Sequence, residues 1–132
     1  MKLNDLISYA RRARQKAHAP YSRFLVGAAL ESVSGKVFGG CNIENCSYGL
    51  TVCAERVAAW KAVSAGETRF RRLVVVADTE SLTPPCGACR QVLWELCGDV
   101  EVILANLGGG RARYRMSQLL PKPFDRSFLA GG

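Results

Sequence analysis

LVVVADTESLTPPCGACRQVLWELCGDVEVILA, residues 73–105, holds the reading that decides the fold. Leu73-Val74-Val75-Val76-Ala77 and the run 100–105 are short, unbroken apolar stretches, the form expected of strands covered on both faces. Between them Pro84-Pro85 breaks the chain, and Val92, Leu93 and Leu96 fall on one face of a helix predicted over 87–97. Toward the N-terminus, residues 53–65 are rich in alanine and stop at Gly66, as a helix packed closely against a neighbour should. Further out, 24–30 is almost wholly apolar, Ser34-Gly35 supplies a turn and 36–41 alternates, which predicts a buried hairpin. Residues 42–52 predict an irregular loop. Leu3, Leu6, Ile7 and Ala10 recur at helical spacing, and Pro20 pushes Ala19 out of the helical region, so the first helix is expected to end near His18. Beyond residue 105, Gly108-Gly109-Gly110 lacks the spacing of a phosphate loop and predicts a turn. The order αββαβαβ predicts an α/β fold with three layers, α/β/α, around a mixed sheet of roughly five strands, and ligands bound beyond the strand ends near helix starts.

The chain has 132 residues, 48% of them hydrophobic and 22% charged. That length buries one core, so a single domain over 1–132 is expected, and the composition excludes a disordered tail, a collagenous repeat or a coiled coil. Residues 1–17 carry no apolar h-region, and no apolar run approaches the roughly 20 residues that span a bilayer, so a cytoplasmic protein without a membrane partner is expected. Thiols stay reduced there. The spacing of the six cysteines then points to metal or catalysis rather than to crosslinks. A formal charge of +7 would suit a polyanion, but its carriers fall in short clusters. Arg11, Arg12, Arg14 and Lys16 crowd the first helix, Arg69, Arg71 and Arg72 precede a strand, and Arg111, Arg113 and Arg115 alternate near the end. None has the interleaved aromatics of a single-strand platform, so solvated faces and no nucleic-acid partner are expected.

Two fragments carry chemistry: Cys53-Ala54-Glu55-Arg56 opens one helix and Pro85-Cys86-Gly87-Ala88-Cys89 opens another. At a helix start the unpaired amides and the dipole favour a thiolate, the form that binds a metal. Three thiolates near one point suit Zn²⁺, and three protein ligands leave the fourth tetrahedral position to water, as in catalytic sites. Glu55 lies two residues from Cys53, so both approach one point only if the metal lies off the helix end; a carboxylate there can shuttle a proton. A closed structural site, by contrast, would need a fourth ligand from Cys41, Cys46 or Cys97, whose commoner role is packing. A redox CxxC would leave the distant Cys-x-Glu unexplained. A zinc-stabilised interaction module would leave Glu55 without a purpose. In an extended segment Asn42 and Glu44 face the same way, and an amide beside a carboxylate either grips a sugar hydroxyl or sits in a solvated loop. Phe24 and Phe124, taken singly, fit a core as well as a ligand.

Together these residues resemble the homotetrameric, zinc-dependent cytidine deaminases that act on free nucleosides. The resemblance covers nearly the whole chain: Pro20-Tyr21-Ser22 leading to Phe24, Val26-Gly27-Ala28-Ala29-Leu30, Asn42-Ile43-Glu44-Asn45, both cysteine fragments through Arg90-Gln91, and Leu119-Leu120-Pro121 before Phe124. It implies that Cys53, Cys86 and Cys89 hold one zinc per chain, that Glu55 binds N3 of the pyrimidine and moves the proton, and that Ala54 offers its amide to the base. Asn42 and Glu44 would hold the ribose, and Phe24 and Phe124 would meet the base, Phe124 coming from a neighbouring subunit. The loop around Tyr48 would line the adjoining site of another, and Arg56 would draw charge from the sulfurs. The implied reaction turns cytidine or deoxycytidine into uridine or deoxyuridine plus ammonia, a step of pyrimidine salvage. Cys46 stands where the family has a small residue, and 49–52 is a variable stretch, so the contacts to the 5′-hydroxyl stay open. Deaminases of polynucleotides usually begin their motif His-x-Glu, whereas the single histidine here is His18. A deaminase of a nucleoside-like antibiotic is the second enzyme reading, against which Asn42 and Glu44 argue for a plain sugar.

Overall fold

The computed structural model describes residues 1–129. Its elements run α1 (Leu3–Arg14), β1 (Val26–Ser32), β2 (Val37–Cys41), α2 (Ala54–Ser64), β3 (Phe70–Ala77), α3 (Gly87–Cys97), β4 (Glu101–Ala105), β5 (Arg111–Arg115) and α4 (Met116–Leu119), with short 3₁₀ turns at Tyr48–Leu50 and Arg126–Phe128. The five strands form one mixed sheet in the order β2-β1-β3-β4-β5, in which only β3 and β4 are parallel.

Both faces of the sheet are covered because its central strands β1, β3 and β4 carry unbroken apolar runs, not alternating ones. Val26, Ala28, Leu30, Leu73, Val75, Ala77, Val102 and Leu104 pack with α2 and α3. Their neighbours Ala29, Val74, Val76, Ile103 and Ala105 pack with Leu6, Ile7 and Ala10 of α1 on the other side. Side chains alternate along a strand, so a continuous apolar run fills two cores at once. Leu6, Leu30, Leu73 and Leu93 are fully buried, each worth roughly 1.5–3 kcal/mol of transfer from water.

Two glycines set how closely the helices approach. A Cβ on Gly40 would lie 2.6 Å from the Ala58 amide of α2, and one on Gly27 would lie 2.6 Å from the Arg14 amide of α1. Small residues on the facing side of α2, Ala54, Ala58, Ala59 and Ala62, complete the contact. This presses the start of α2 onto the hairpin and fixes where its first residues point.

Several expected boundaries move. α1 ends at Arg14 instead of His18, because Lys16 and Ala17 turn back on Ala13 and Arg14 and His18 leaves to pair its backbone with Ile43. Lys16 therefore lies beyond the helix. Arg71 and Arg72 lie inside β3, and Arg72 is no solvated cation: its Nε sits 2.8 Å from the buried Glu31 carboxylate, which also pairs with the Met1 ammonium at 2.8 Å. Arg111, Arg113 and Arg115 form the edge strand β5, where charge discourages pairing with another sheet, and Arg113 and Arg115 pair with Glu101 and Asp99. The Gly108-Gly109-Gly110 run is a turn, held by Asn106 Oδ1 accepting from the Gly108 and Gly110 amides. Among the described residues no helix is long and apolar enough to cross a membrane.

Candidate metal centre and substrate site

α2 and α3 each begin at a cysteine. Cys53 and Cys86 are the N-caps, both in extended backbone, and neither thiol caps its own helix. The first intrahelical bonds run from Val57 N to Cys53 O and from Arg90 N to Cys86 O, so the amides before them point out of the helix ends unpaired within the helices. Cys89, fully buried in the first turn of α3, completes a cluster whose three sulfurs lie within 4.8 Å of one another. The Cys53 and Cys86 sulfurs are 3.9 Å apart, and those of Cys86 and Cys89 3.5 Å. Tetrahedral bonds of 2.3 Å place two sulfurs about 3.8 Å apart, whereas a disulfide needs about 2.05 Å. The donor set fits zinc.

The cluster also separates an open site from a closed one. Among the described residues no fourth histidine, cysteine or carboxylate joins the three thiols. Cys97 lies eight residues along α3 from Cys89, about 12 Å away at 1.5 Å per residue. Its thiol is pushed up to about 12 by burial, which is the behaviour of a packing residue.

Electrostatics distinguishes the side chains around the sulfurs. The Cys53 thiol is brought down to about 5, first by the hydrogen bond from Cys89 and then by Arg56, whose Nη2 lies 3.3 Å from its sulfur. Cys89, the donor in that pair, is held well above the usual thiol range by the same hydrogen bond and by burial. Glu55 follows on α2 with only 4% of its surface exposed. Burial pushes its carboxyl up to about 7, and the neighbouring Cys53 thiolate adds to the effect. A carboxyl at that value takes up and releases a proton near neutral pH with little driving force lost either way.

Asn42 and Glu44 flank Ile43, whose backbone pairs with Val52, the residue before Cys53. Both side chains bond to the segment 21–26 of the chain itself. Asn42 Oδ1 accepts from Val26 N at 2.9 Å and its Nδ2 donates to Phe24 O at 2.7 Å. Glu44 accepts from the amides of Tyr21 and Ser22 and from the Ser22 hydroxyl. Phe24 is 40% exposed on the segment so held. Tyr48 leans its ring on Tyr21 and shares with Ser22, Glu44 and Thr51 a surface cavity of about 370 Å³. A larger cavity, about 460 Å³, opens between Tyr9, Arg12, Lys16 and Lys61 at the free edge of β2; Cys41 lines it, and the three clustered thiols of Cys53, Cys86 and Cys89 do not.

Phe124 is the outlying member of the set. It is 60% exposed and stacks on Phe128, with its carbonyl accepting from Gln91 Nε2 and the next residue, Asp125, accepting from the Trp94 indole. Ala54, fully buried, opens α2 beside Cys53. Sequence reasoning gave no role to Ser22, Gln91, Trp94 or Asp125. Ser22 stood in the Pro-Tyr-Ser run, where a hydroxyl two residues before a phenylalanine in a turn was the available signal.

Residues 1–105 match the family described as the cytidine and deoxycytidylate deaminase zinc-binding region. The chain is 48% identical over 131 residues to a cytidine deaminase of Sporosarcina psychrophila, covering 98% of this chain and 96% of that protein. It is 54% identical over 120 residues to a cytidine deaminase of Halalkalibacterium halodurans, covering 90% and 91%. The crystal structure of cytidine deaminase from Burkholderia pseudomallei superposes with a TM-score of 0.92 at 49% identity, over 94% of this chain and all of that one.

Proposed function

Because the chain belongs to the zinc-binding cytidine deaminase family, we propose that it hydrolyses the exocyclic amine at C4 of free cytidine and deoxycytidine, yielding uridine or deoxyuridine and ammonia. The observation that carries this reading is a buried carboxyl, Glu55, two residues after Cys53 of a three-thiol cluster with zinc spacing. Cys53, Cys86 and Cys89 would hold the zinc, which when bound supplies a Lewis acid that makes water nucleophilic near neutral pH. Glu55 then does the proton work. It carries one proton of the attacking water to N3 of the base, so that C4 becomes electrophilic, and then moves the remaining proton, from the new C4 hydroxyl, to the amine, which leaves as ammonia as the C4 carbonyl forms. The Ala54 amide, free of a helix partner, donates to the base, and Phe24 covers one side of it.

Asn42 and Glu44 hold the ribose. Glu44 is kept ionised chiefly by the Ser22 hydroxyl bonded to it, so its oxygens only accept, and its ligand must donate. A free sugar hydroxyl does; the esterified oxygen of a continuing strand does not, which favours nucleosides over nucleic acid. The exposed Phe124 and Tyr48 support a homotetramer in which each closes the site of a neighbour. The whole chain works as one domain. Its six cysteines, all unpaired, suit the cytoplasm, where the reaction returns cytidine to the uridine pool.

The test compares cytidine, free cytosine and a single-stranded oligonucleotide with wild type and Glu55→Gln, with zinc measured in each protein. Cytidine is expected to be the good substrate, and Glu55→Gln to keep its zinc while turnover falls about 10² to 10⁴-fold. Efficient turnover of the oligonucleotide, or an active Glu55→Gln, would overturn the reading.

A further inference from the structure

Residues 21–25 belong to no helix or strand, yet five of the six backbone N–H groups from Tyr21 to Val26 and the Phe24 and Leu25 carbonyls have a hydrogen-bond partner. The Tyr21 and Ser22 amides donate to Glu44 Oε1 at 3.0 and 3.1 Å. Arg23 N reaches Ala19 O, Leu25 O accepts from Arg14 Nε, and Asn42 takes Phe24 O and Val26 N. Arg23 is held at φ +57°, a left-handed conformation that a non-glycine residue keeps only where its surroundings over-determine it. At the centre of this net is one hydroxyl. Ser22 Oγ donates to Glu44 Oε2 and accepts from Phe24 N at 3.0 Å.

We propose that Ser22 is a positioning residue of the nucleoside site, its hydroxyl bridging the Glu44 carboxylate and the Phe24 amide so that the group facing the sugar and the ring facing the base move as one unit. The proposal rests on the reading of Glu44 as the acceptor of a sugar hydroxyl. A carboxylate offers about four acceptor directions, two on each oxygen. Both on Oε1 are filled by the two amides, and Ser22 fills one on Oε2. That leaves a single direction for substrate. Removing the hydroxyl frees a second direction and lets the carboxylate swing about the two amides, so the sugar meets an acceptor no longer aimed at it. The same removal strips the Phe24 amide of its partner.

The sulfur cluster and Glu55 are untouched by any of these bonds, so the effect should fall on binding and not on the chemical step. Ser22→Ala should raise KM for cytidine about 10-fold, the worth of a charge-assisted hydrogen bond, with kcat changed less than about 3-fold and zinc content unchanged. Ser22→Thr, which keeps the hydroxyl, should recover most of the loss.

The deciding readout is the same comparison on 2′,3′-dideoxycytidine, which keeps the 5′-hydroxyl but lacks the two ring hydroxyls whose hydrogen bonds Glu44 is read as accepting. There Ser22→Ala and wild type should differ by no more than about 2-fold in kcat/KM, the remainder being the looser Phe24. An Ser22→Ala penalty as large on dideoxycytidine as on cytidine overturns the proposal, and so does a fall in kcat at unchanged KM. Glu44→Gln separates the two levels. If wild type and Glu44→Gln both turn over cytidine and dideoxycytidine equally well, the sugar reading fails and the proposal with it. If Glu44→Gln loses the discrimination while Ser22→Ala keeps it, the sugar reading stands and Ser22 has no part in it.

Discussion

In the proposed zinc site, Arg56 would set how much negative charge the metal group presents. Three thiolates against Zn²⁺ leave −1, where three neutral ligands would leave +2, so the ion's pull on a bound oxygen is weakened. The guanidinium answers this from one turn along α2. Its Nη2 lies on the Cys53 sulfur, and its Nε is buried with no hydrogen-bond partner among the described residues, which does not describe an arginine spread over a solvated helix face. Drawing charge from a ligand sulfur restores part of the metal's acidity. Arg56→Gln is therefore expected to lower turnover by roughly 10 to 100-fold with zinc still bound, whereas Cys86→Ala should lose the zinc itself. Metal analysis beside initial rates reads both. Equal activity in Arg56→Gln and wild type would return Arg56 to an ordinary surface role.

Among the elements, β1 and β3 are joined by a buried ion pair as well as by their ladder. Burial would push the Glu31 carboxyl up, but hydrogen bonds from the Met1 ammonium and Arg72, with their charges, hold it below its ordinary 4.5. A carboxyl held below its unfolded pKa adds stability that is complete above the unfolded value and disappears as pH falls through the folded one. Glu31→Gln should cost roughly 3 kcal/mol at pH 7, since Arg72 keeps a half-buried charge with no counter-ion. It should also flatten the acid limb of a denaturation series below about pH 4.5, where wild type loses this contribution. A mutant whose acid limb runs parallel to wild type would show that the pair carries no such linkage. Arg72 illustrates what the sequence concealed. Unbroken apolar runs marked β3 and β4, and Pro-Pro with a three-residue apolar face marked α3, because those signals are local. The end of α1 was decided by His18 pairing with Ile43, and β5, RARYR, has no apolar period because an edge strand buries little. The sulfur cluster was legible for the same reason as α3: its spacing lies within two short motifs at helix starts. Ser22 was not, since its role comes from a backbone bend and a carboxylate 22 residues away.

At the scale of the whole molecule, the proposed tetramer makes each active site a shared object. Four copies of a 14.3 kDa chain should sediment at about 57 kDa. A stricter expectation concerns mixing. Glu55→Gln keeps a normal Phe124, and Phe124→Ala keeps a normal Glu55, so tetramers co-expressed from both should contain some sites with both groups intact, about a quarter on random assembly. The mixture should then be more active than the mean of its parents. Activity at that mean would place Phe124 in its own chain's site or in none. The three thiols, Glu55 and Arg56 ride on α2, pressed to the sheet by Gly40 and its own alanines, and on α3, packed in the same core, while the side chains proposed to hold the nucleoside lie mainly on 21–25, 42–52 and the C-terminal segment. The residues proposed to break the C–N bond are thus inherited with the core, and those proposed to choose the molecule are inherited with the loops. A duplicated gene can rewrite the second set under selection for a new nucleoside while the first stays under purifying pressure, so within this architecture a change of diet is a short evolutionary path and a change of reaction a long one.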